Sequence, residues 1–363
     1  MRRRLLSLFF LVNLVLLGGC DVAGDNQQDE PTPRAVVVAN QGNFGDGNGS
    51  VSTFDPVTET VQAAAIASLG SIVQSVTIEA GQIYVMANTG GRVDVFDAES
   101  LERTAQIGDV VSPRYMVAEG STGYVTSLYG EEGSFSGGLV TVLDLDARQK
   151  TAEISVGNNP EGLALVGTRL YVANHGFGNG TTVSVVDTGS LEVAETIEVE
   201  CDGPRFLEAD ADGDVFVFCT GKTIYDDSFN PVGETDGAVR VLDGATGEIV
   251  TRMEIDGRIG TVGPGQDAFH APSENAIFVV KDQNTVLVFD TGTDALAEEI
   301  GPFDGQPISA VGYDERSARL YVGRSHGFTQ AGEVSIHDRS GIEISRFTAG
   351  VVPTFIAFQS DNQ

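Results

Sequence analysis

Four histidines are the first side chains to consider for catalysis or metal binding: His175, His270, His326 and His337. None falls in an H-x-x-x-H or H-E-x-x-H spacing, which would place two ring nitrogens on one helix face for zinc. The chain also lacks a phosphate-binding P-loop, and its G-x-S-x-G match, GRSHG at 323–327, lies between two strand-like segments rather than at the strand-to-helix turn of a nucleophilic serine. We therefore expect a binding protein, with no catalytic residues, no bound metal and no cofactor.

Aromatic and amide side chains recur in Gly-rich segments between short apolar runs. Three segments share a pattern: QGNFG from position 41, HGFG from 175 and HGF from 326. Such side chains suit a flat, partly apolar ligand, although each Phe could instead pack back on its own loop. The ligand-binding residues predicted in these segments are Asn40, Phe44, Asn88, Tyr129, Phe135, Asn174, His175, Phe177, Tyr225, Arg324, His326 and Phe328.

Two arginines follow the proline that opens an apolar segment, Arg114 in PRYMVA and Arg205 in PRFLEA. Glu161, and Gln266 or Asp267, fall near the corresponding position of other segments. In a chain this acidic, the two guanidinium groups could clamp an anionic ligand such as a phosphate or carboxylate. The alternative is that each arginine forms a salt bridge with a neighbouring acidic residue.

The elements that must position these residues are short strands in a repeated unit. A strand, a loop and a second strand ending in Asp recur seven times, as in LYVAN…VSVVD. The closing aspartates are separated by 42 to 56 residues, and they are Asp55, Asp97, Asp144, Asp187, Asp243, Asp290 and Asp338. A four-stranded repeat of this period predicts an all-β, seven-bladed β-propeller of antiparallel blades. The aspartates themselves are expected to start turns.

The order of strand types predicts how the ring closes. The chain begins with VVVAN, typical of a second strand, and ends with PTFIAF, which matches the inner-strand segments. We expect the last strand to complete the first blade, which removes an exposed sheet edge. The loops between second and third strands would then lie on one face, where rigid scaffolds usually carry their binding surfaces.

Two further segments leave alternatives open. Cys201 and Cys219 end strands that emerge on the same face, so they could form a disulfide or remain two buried thiols. The acidic segment DADGD at 210–214 has the alternating carboxylates of a calcium loop, but it lacks the Gly and distant Glu of an EF-hand. A hairpin turn is the other interpretation of this segment.

The N-terminal residues predict export. Three arginines, an apolar run and Leu17-Gly-Gly-Cys20 form a signal peptide over residues 1–19, resembling a bacterial lipobox with Cys20 as the lipidated residue. Residues 20–33 are acidic and proline-bearing, typical of a flexible tether. The propeller is predicted over residues 34–363. The formal net charge of −31 argues against nucleic-acid binding and is compatible with a solvated surface in a saline habitat.

The repeated xLYVAN…VSVVD…ETIxVGxxPEG pattern resembles the YVTN-repeat (YncE-like) propellers over the whole chain after the tether. Within that group, NQGNFGDGNGSVSTFDP, SPRYMV and VGNNPEGLAL are similar to the BtuG-type surface lipoproteins of Bacteroidetes. The resemblance implies capture of cobalamin or another corrinoid on the loop face. It also implies delivery of that ligand to a TonB-dependent transporter of the outer membrane.

We therefore expect a lipid-anchored binding protein of the outer membrane or cell surface, with a small-molecule ligand. The alternatives from other classes are a protein-interaction scaffold of the envelope and a propeller hydrolase or lactonase. The last would need a metal held by carboxylates or Asn on the axis of the ring.

Overall fold

The strands of this protein follow the repeated sequence unit closely. The computed structural model describes residues 35–130, 134–263 and 265–359, which belong to one compact unit, Pro33–Gln363. The predicted signal peptide, Cys20 and the tether lie outside these residues. No helix in the described ranges is long and apolar enough to span a membrane.

Seven four-stranded antiparallel sheets form the fold, as the sequence predicted. The strands of the first three blades, from the innermost outward, are β30 (Pro353–Phe358), β1 (Val36–Asn40), β2 (Ser50–Asp55) and β3 (Thr60–Ile66); β4 (Val73–Glu79), β5 (Gln82–Ala87), β6 (Arg92–Asp97) and β7 (Arg103–Ile107); and β8 (Pro113–Glu119), β9 (Thr122–Ser127), β10 (Gly138–Asp144) and β11 (Gln149–Val156).

The remaining four blades repeat this order. Their strands are β12 (Pro160–Val166), β13 (Arg169–Asn174), β14 (Thr182–Asp187) and β15 (Glu192–Glu198); β16 (Pro204–Ala209), β17 (Asp214–Cys219), β20 (Gly237–Asp243) and β21 (Ile249–Ile255); β22 (Ala268–Ala271), β23 (Ala276–Lys281), β24 (Thr285–Asp290) and β25 (Ala295–Ile300); and β26 (Ile308–Asp314), β27 (Arg319–Arg324), β28 (Ala331–His337) and β29 (Glu343–Val351).

The ring closes through the first blade, as predicted from the two ends of the chain. Strand β30 pairs antiparallel with β1, so that Val36 lies opposite Phe358 and Val38 opposite Ile356. The inner strands contact one another around the ring in the order β30, β4, β8, β12, β16, β22 and β26, and β26 contacts β30 again. The ring of inner strands is therefore continuous.

Burial on both faces of the sheet explains why the second and third strands are continuous apolar segments in the sequence. Strand β13, for example, is buried over five consecutive residues from Leu170, because neighbouring blades cover both faces of its sheet. The outer strand of the same blade, β15, is exposed at six of its seven positions, and only Ile197 is buried. The core thus lies in the layers between blades, where Tyr171, Phe216, Phe218 and Phe278 are fully buried.

The repeated aspartates start turns after the third strands, as expected. Asp187 Oδ1 accepts hydrogen bonds from the backbone N–H groups of Gly189 and Ser190 at 3.1 and 2.7 Å. These bonds hold the pKa of Asp187 below its usual value. Asp55, Asp97 and Asp243 accept equivalent bonds from the residues that follow them.

One insertion departs from the regular blade. The long loop after Cys219 contains a two-stranded hairpin, β18 (Thr223–Tyr225) and β19 (Pro231–Glu234), which belongs to none of the seven sheets. The sequence pattern predicted a loop for this segment. Its strands are short and exposed, so they carry no apolar alternation that would have indicated a hairpin.

Candidate functional site

A concave site lies on the loop face, between the fourth, fifth and sixth blades and beside the inserted hairpin. We call it the loop-face pocket. It has a volume of about 650 Å³, within the range of small-molecule sites. The side chains that matter for its chemistry are His175, Phe177, Arg205, Lys222, Tyr225 and Arg258.

The loop after β13 places His175 and Phe177 in the wall. Asn174 is buried at its start, and its side-chain amide donates to the hydroxyls of Thr182 and Ser184 at 3.0 Å each. A single 3-10 turn at Gly176–Gly178 follows, with Phe177 at a φ of 55°. The backbone N–H of Phe177 donates to Asn159 Oδ1 at 2.8 Å, which helps to hold this left-handed conformation. Phe177 therefore remains half exposed, at 50 %.

The residues on either side of the hairpin both contact Asp202, which lies in the segment between β15 and β16. Lys222 Nζ lies 3.0 Å from Asp202 Oδ1, and the Thr235 hydroxyl donates to Asp202 Oδ2 at 3.0 Å. Next to this contact the structure joins Cys201 and Cys219 in a disulfide, with the two Cα atoms 6.1 Å apart. The hairpin wall of the pocket is thus fixed at its base by covalent and ionic contacts.

Arg258 spans the other side of the hairpin. Its Nη2 donates to the carbonyl oxygen of Gly221 at 2.9 Å, and its Nη1 lies 3.6 Å from Glu234 Oε2. Together with Arg205 and Lys222, it brings three cationic side chains to the pocket, against Glu234 and Asp282. Each of the three also lies near a carboxylate of the protein: Arg205 near Asp267, Lys222 near Asp202 and Arg258 near Glu234. Their remaining N–H groups suit a ligand that carries an anionic or strongly accepting group.

His175 is held neutral in the pocket wall. Burial lowers its pKa to about 4, although the charge of Glu161 acts in the opposite direction. Its Nδ1 is buried without a hydrogen-bond partner among the described residues. The side chain also borders a smaller cavity of about 340 Å³, shared with Arg114, Glu161 and Arg205.

Both arginines of the inner strands form salt bridges, which is the arrangement that the sequence offered as the alternative to an anion clamp. Arg114 Nη2 lies 2.6 Å from both carboxylate oxygens of Glu161. Burial acts to raise the pKa of Glu161, but Arg114 and Arg205 outweigh it and the pKa is lowered. Arg114 also donates to Gln74 Oε1 at 2.5 Å, so its guanidinium is occupied within the protein.

Among the described residues, Arg205 forms fewer hydrogen bonds than Arg114 does. Its Nε lies 3.3 Å from Asp267 Oδ2, but neither atom forms a hydrogen bond within the described residues. Its Nη2 donates to the carbonyl oxygen of Gly263 at 2.7 Å. Burial opposes its charge, but Asp267 and other acidic groups outweigh that effect and raise its pKa. Arg205 remains charged and lines the pocket, so it alone of the two arginines reaches the candidate site.

The other predicted residues do not line this pocket, and several are used in the fold. Asn40 donates to Ser52 Oγ at 2.8 Å and accepts from the backbone N–H of Gly350 at 2.9 Å, which connects two strands of neighbouring blades. Asn88 donates to the carbonyl of Pro113 at 3.0 Å. Arg324 is buried and donates to the carbonyl of Gln306.

The remaining aromatic residues are spread over other loops. Tyr129 and Phe135 pack edge to face with ring centroids 4.8 Å apart. Phe44 and Phe328 are exposed, and His326 Nε2 lies 4.0 Å from Glu333 Oε1. Of the fourteen predicted ligand contacts, the loop-face pocket therefore unites His175, Phe177, Arg205 and Tyr225.

Lys222 and Arg258 were not predicted from the sequence. Lys222 lies in the long segment after Cys219, from which only Tyr225 was selected. Arg258 lies in the link between β21 and β22, whose length and position on the loop face were the available signal. Both lie outside the aromatic, amide and Pro-Arg patterns from which the ligand-binding residues were predicted.

The DADGD segment forms a turn. Asp210 Oδ1 accepts hydrogen bonds from the backbone N–H groups of Asp212 and Asp214 at 3.0 and 2.8 Å. Carboxylate oxygens of Asp210, Asp214 and Asp294 lie within 4.8 Å of one another. Burial, followed by the neighbouring carboxylates, raises the pKa of Asp214 and of Asp294.

Comparison with known proteins gives a family and a fold. The sequence profile of a family described as "Domain of unknown function (DUF5074)" matches residues 35–226. No curated protein sequence matches this chain.

Solved structures share the fold at low sequence identity. A functionally unknown protein from Desulfotomaculum acetoxidans has a TM-score of 0.67 at 11 % identity, over 90 % of this chain and 99 % of that chain. The hydrazine synthase of Kuenenia stuttgartiensis gives 0.61 at 20 %, over 78 % and 88 %. The computationally designed Ika8 protein gives 0.58 at 14 %, over 92 % and 93 %.

Proposed function

The chain belongs to the DUF5074 family, and we propose that it is a non-enzymatic binding protein that captures a small molecule in the loop-face pocket. The observation that carries this proposal is the convergence of Arg205, Lys222 and Arg258 with Phe177 and Tyr225 in one cavity. Cationic donors beside aromatic faces recognise ligands that combine an anionic group with a flat apolar part.

A corrinoid is the ligand class that we put first. It carries a phosphate, several amides and a flat ring, and these groups match the donors and aromatic side chains of the pocket. The similarity of the repeats to the BtuG-type propellers supports the same ligand. A volume of about 650 Å³ would take the phosphate-bearing part of such a molecule, and the flat ring would lie across the exposed loops around the pocket.

The inserted hairpin supports a role for a protein partner. Its tip and outer strand expose apolar side chains, with Phe229 86 % and Val232 62 % exposed. Exposed apolar side chains grouped in this way commonly mark interaction surfaces. We therefore propose that the hairpin contacts the partner that receives the ligand, for which a TonB-dependent transporter is the leading candidate. In that arrangement Cys20 would carry the lipid anchor at the outer membrane or cell surface.

A protein-interaction scaffold is the second candidate function, and the same exposed hairpin favours it. The two functions differ in what the loop-face pocket does. A scaffold would not need the three cationic side chains to be accessible to a small molecule, whereas a capture protein would.

Isothermal titration of the protein with cyanocobalamin tests the proposal. Arg258→Gln removes one cation from the pocket and should weaken binding by about tenfold or more, as expected for a hydrogen bond to a charged group. Arg346→Gln makes the same change on an outer strand and is the matched control. No heat and no spectral change with the wild-type protein at micromolar ligand would exclude corrinoid capture. Equal affinities of the two variants would remove the pocket from the site.

A further inference from the structure

A second cavity lies on the axis of the ring, at the face opposite the loop-face pocket. We call it the axial cavity. It has a volume of about 420 Å³ and is lined mainly by the later residues of the inner strands. Gln266 lines the cavity on the side of the loop face, where its side-chain oxygen accepts a hydrogen bond from the backbone N–H of Ile356 at 2.8 Å. A concave space of this size, with an apolar wall and a few polar side chains, is typical of a small-molecule site.

The walls of the axial cavity are largely aromatic and aliphatic. Phe269, Phe355 and Phe358 line it together with Met116 and Ile78. Phe269 and Phe358 pack edge to face with ring centroids 5.4 Å apart, which fixes their orientation. Aromatic faces attract cations.

One carboxyl group in this wall has no partner. Glu208 extends from β16 into the cavity lining and forms no hydrogen bond or ion pair with the described residues. No Lys or Arg lines the cavity within the described part of the chain. An unpaired carboxylate in apolar surroundings is unfavourable, so a cationic ligand would satisfy it.

The other titratable groups that line the cavity are already engaged or neutral, and among them the Tyr313 hydroxyl donates to Glu274 Oε1 at 3.1 Å. Asp314 accepts from the Ser317 hydroxyl at 2.6 Å, and Glu315 accepts from the backbone N–H of Ser273 at 2.6 Å. Burial lowers the pKa of His270, so its ring is neutral at physiological pH. The charges around the cavity therefore favour a cation over an anion.

We propose that the axial cavity binds a small organic amine, with the ammonium group paired to Glu208 and the apolar body packed between the phenylalanine side chains. This site is separate from the loop-face pocket and does not depend on the function proposed for it. The two sites select ligands of opposite charge.

A proton should leave the protein when the amine binds. Burial raises the pKa of Glu208 to about 8, so the free protein holds this carboxyl largely protonated at neutral pH. An ammonium group beside it favours the carboxylate, and the displaced proton passes to the buffer. Close to one proton should be released at about pH 6.5, and the number should fall towards zero at about pH 9.

Titration calorimetry with 2-phenylethylamine tests the site, with 2-phenylethanol as the neutral probe and 3-phenylpropanoate as the anionic probe. We expect the amine to bind most tightly and the carboxylate least. Glu208→Gln should lower the affinity for the amine by about tenfold or more and leave that for the alcohol unchanged. Glu198→Gln, an equal change on the exposed outer strand β15, should have no effect. Repeating the titration in buffers with different heats of ionisation measures the released proton.

Three results would overturn the proposal: no binding of the amine, equal amine affinity in Glu208→Gln and wild type, or tighter binding of the carboxylate probe. Unfolding curves of the two Glu variants show whether each remains folded. Because the Arg258→Gln variant should bind the amine normally, failure at one site is distinguishable from failure at the other.

Discussion

The guanidinium group of Arg114 on β8 lies 2.6 Å from both carboxylate oxygens of Glu161 on β12, with both side chains almost fully buried. The pair joins the inner strands of the third and fourth blades beside the axis. Each side chain alone would leave an uncompensated charge in the interior. The ring is thus held at its centre by ion pairing as well as by apolar packing between blades.

Removing one member of this pair should be strongly destabilising. Glu161→Gln leaves the Arg114 charge buried and should lower the free energy of unfolding by about 3–5 kcal/mol. The matched control is Glu298→Gln, which breaks the Arg339–Glu298 pair, also at 2.6 Å but on the surface. That change should alter stability by less than about 1 kcal/mol. Urea unfolding measures both, and equal losses would contradict the interpretation.

The disulfide should stabilise the fifth blade and the base of the hairpin. Replacing Cys201 and Cys219 with Ser should lower the free energy of unfolding by about 2–4 kcal/mol. Wild-type protein unfolded in the presence of a reductant should show the same decrease. Alkylation of the unfolded protein without reductant should add no label to Cys201 or Cys219, so the mass of the peptides that contain them should not change. A mass increase corresponding to two labelled thiols would show that the bond is absent in the protein as isolated.

The stability of the fold should depend on pH through Glu208. Burial raises its pKa from 4.5 to about 8. An acid with a raised pKa in the folded state contributes fully below its unfolded pKa, and that contribution is lost as pH rises through the folded pKa. Glu208→Gln should therefore increase the free energy of unfolding above about pH 8, by the order of a few kcal/mol, and change it little near pH 4. A pH-independent effect of the substitution would contradict this assignment.

Ring closure should be essential for the whole domain. Deleting residues 351–363 removes β30, which exposes the edge of β1 and takes one inner strand from the ring. We expect the loss of cooperative thermal unfolding, because the first blade keeps only three strands. Deleting residues 360–363 alone leaves β30 intact and is the control. Full thermal stability of the longer deletion would contradict the closure.

Local sequence patterns were sufficient to predict the blades and their closure. The second and third strands are buried on both faces, so their Val-rich apolar segments can be recognised in the sequence without knowledge of the strands beside them. The prediction that PTFIAF pairs with VVVAN is confirmed. The hairpin at Thr223–Glu234 was missed because its exposed strands carry no periodic apolar signal.

The site was harder to predict because it depends on contacts between distant segments. The salt bridges of Arg114 and Arg205 connect inner strands that are about 50 residues or more apart in sequence, so only the three-dimensional arrangement assigns each arginine its partner. Lys222 and Arg258 reach the same pocket from different links. Glu208 is one of 52 acidic residues in the sequence, and only its position in the axial cavity distinguishes it.

The pairing of β1 with β30 has a consequence for synthesis of the protein. A ribosome releases Val36–Asn40 early, but the strand that completes its sheet, Pro353–Phe358, is translated after the strands of the other six blades. Those six blades can assemble while the chain is still growing, whereas the first blade is completed only after Pro353–Phe358 has left the ribosome. The pairing that closes the ring can therefore form only after all the other blades have been synthesised.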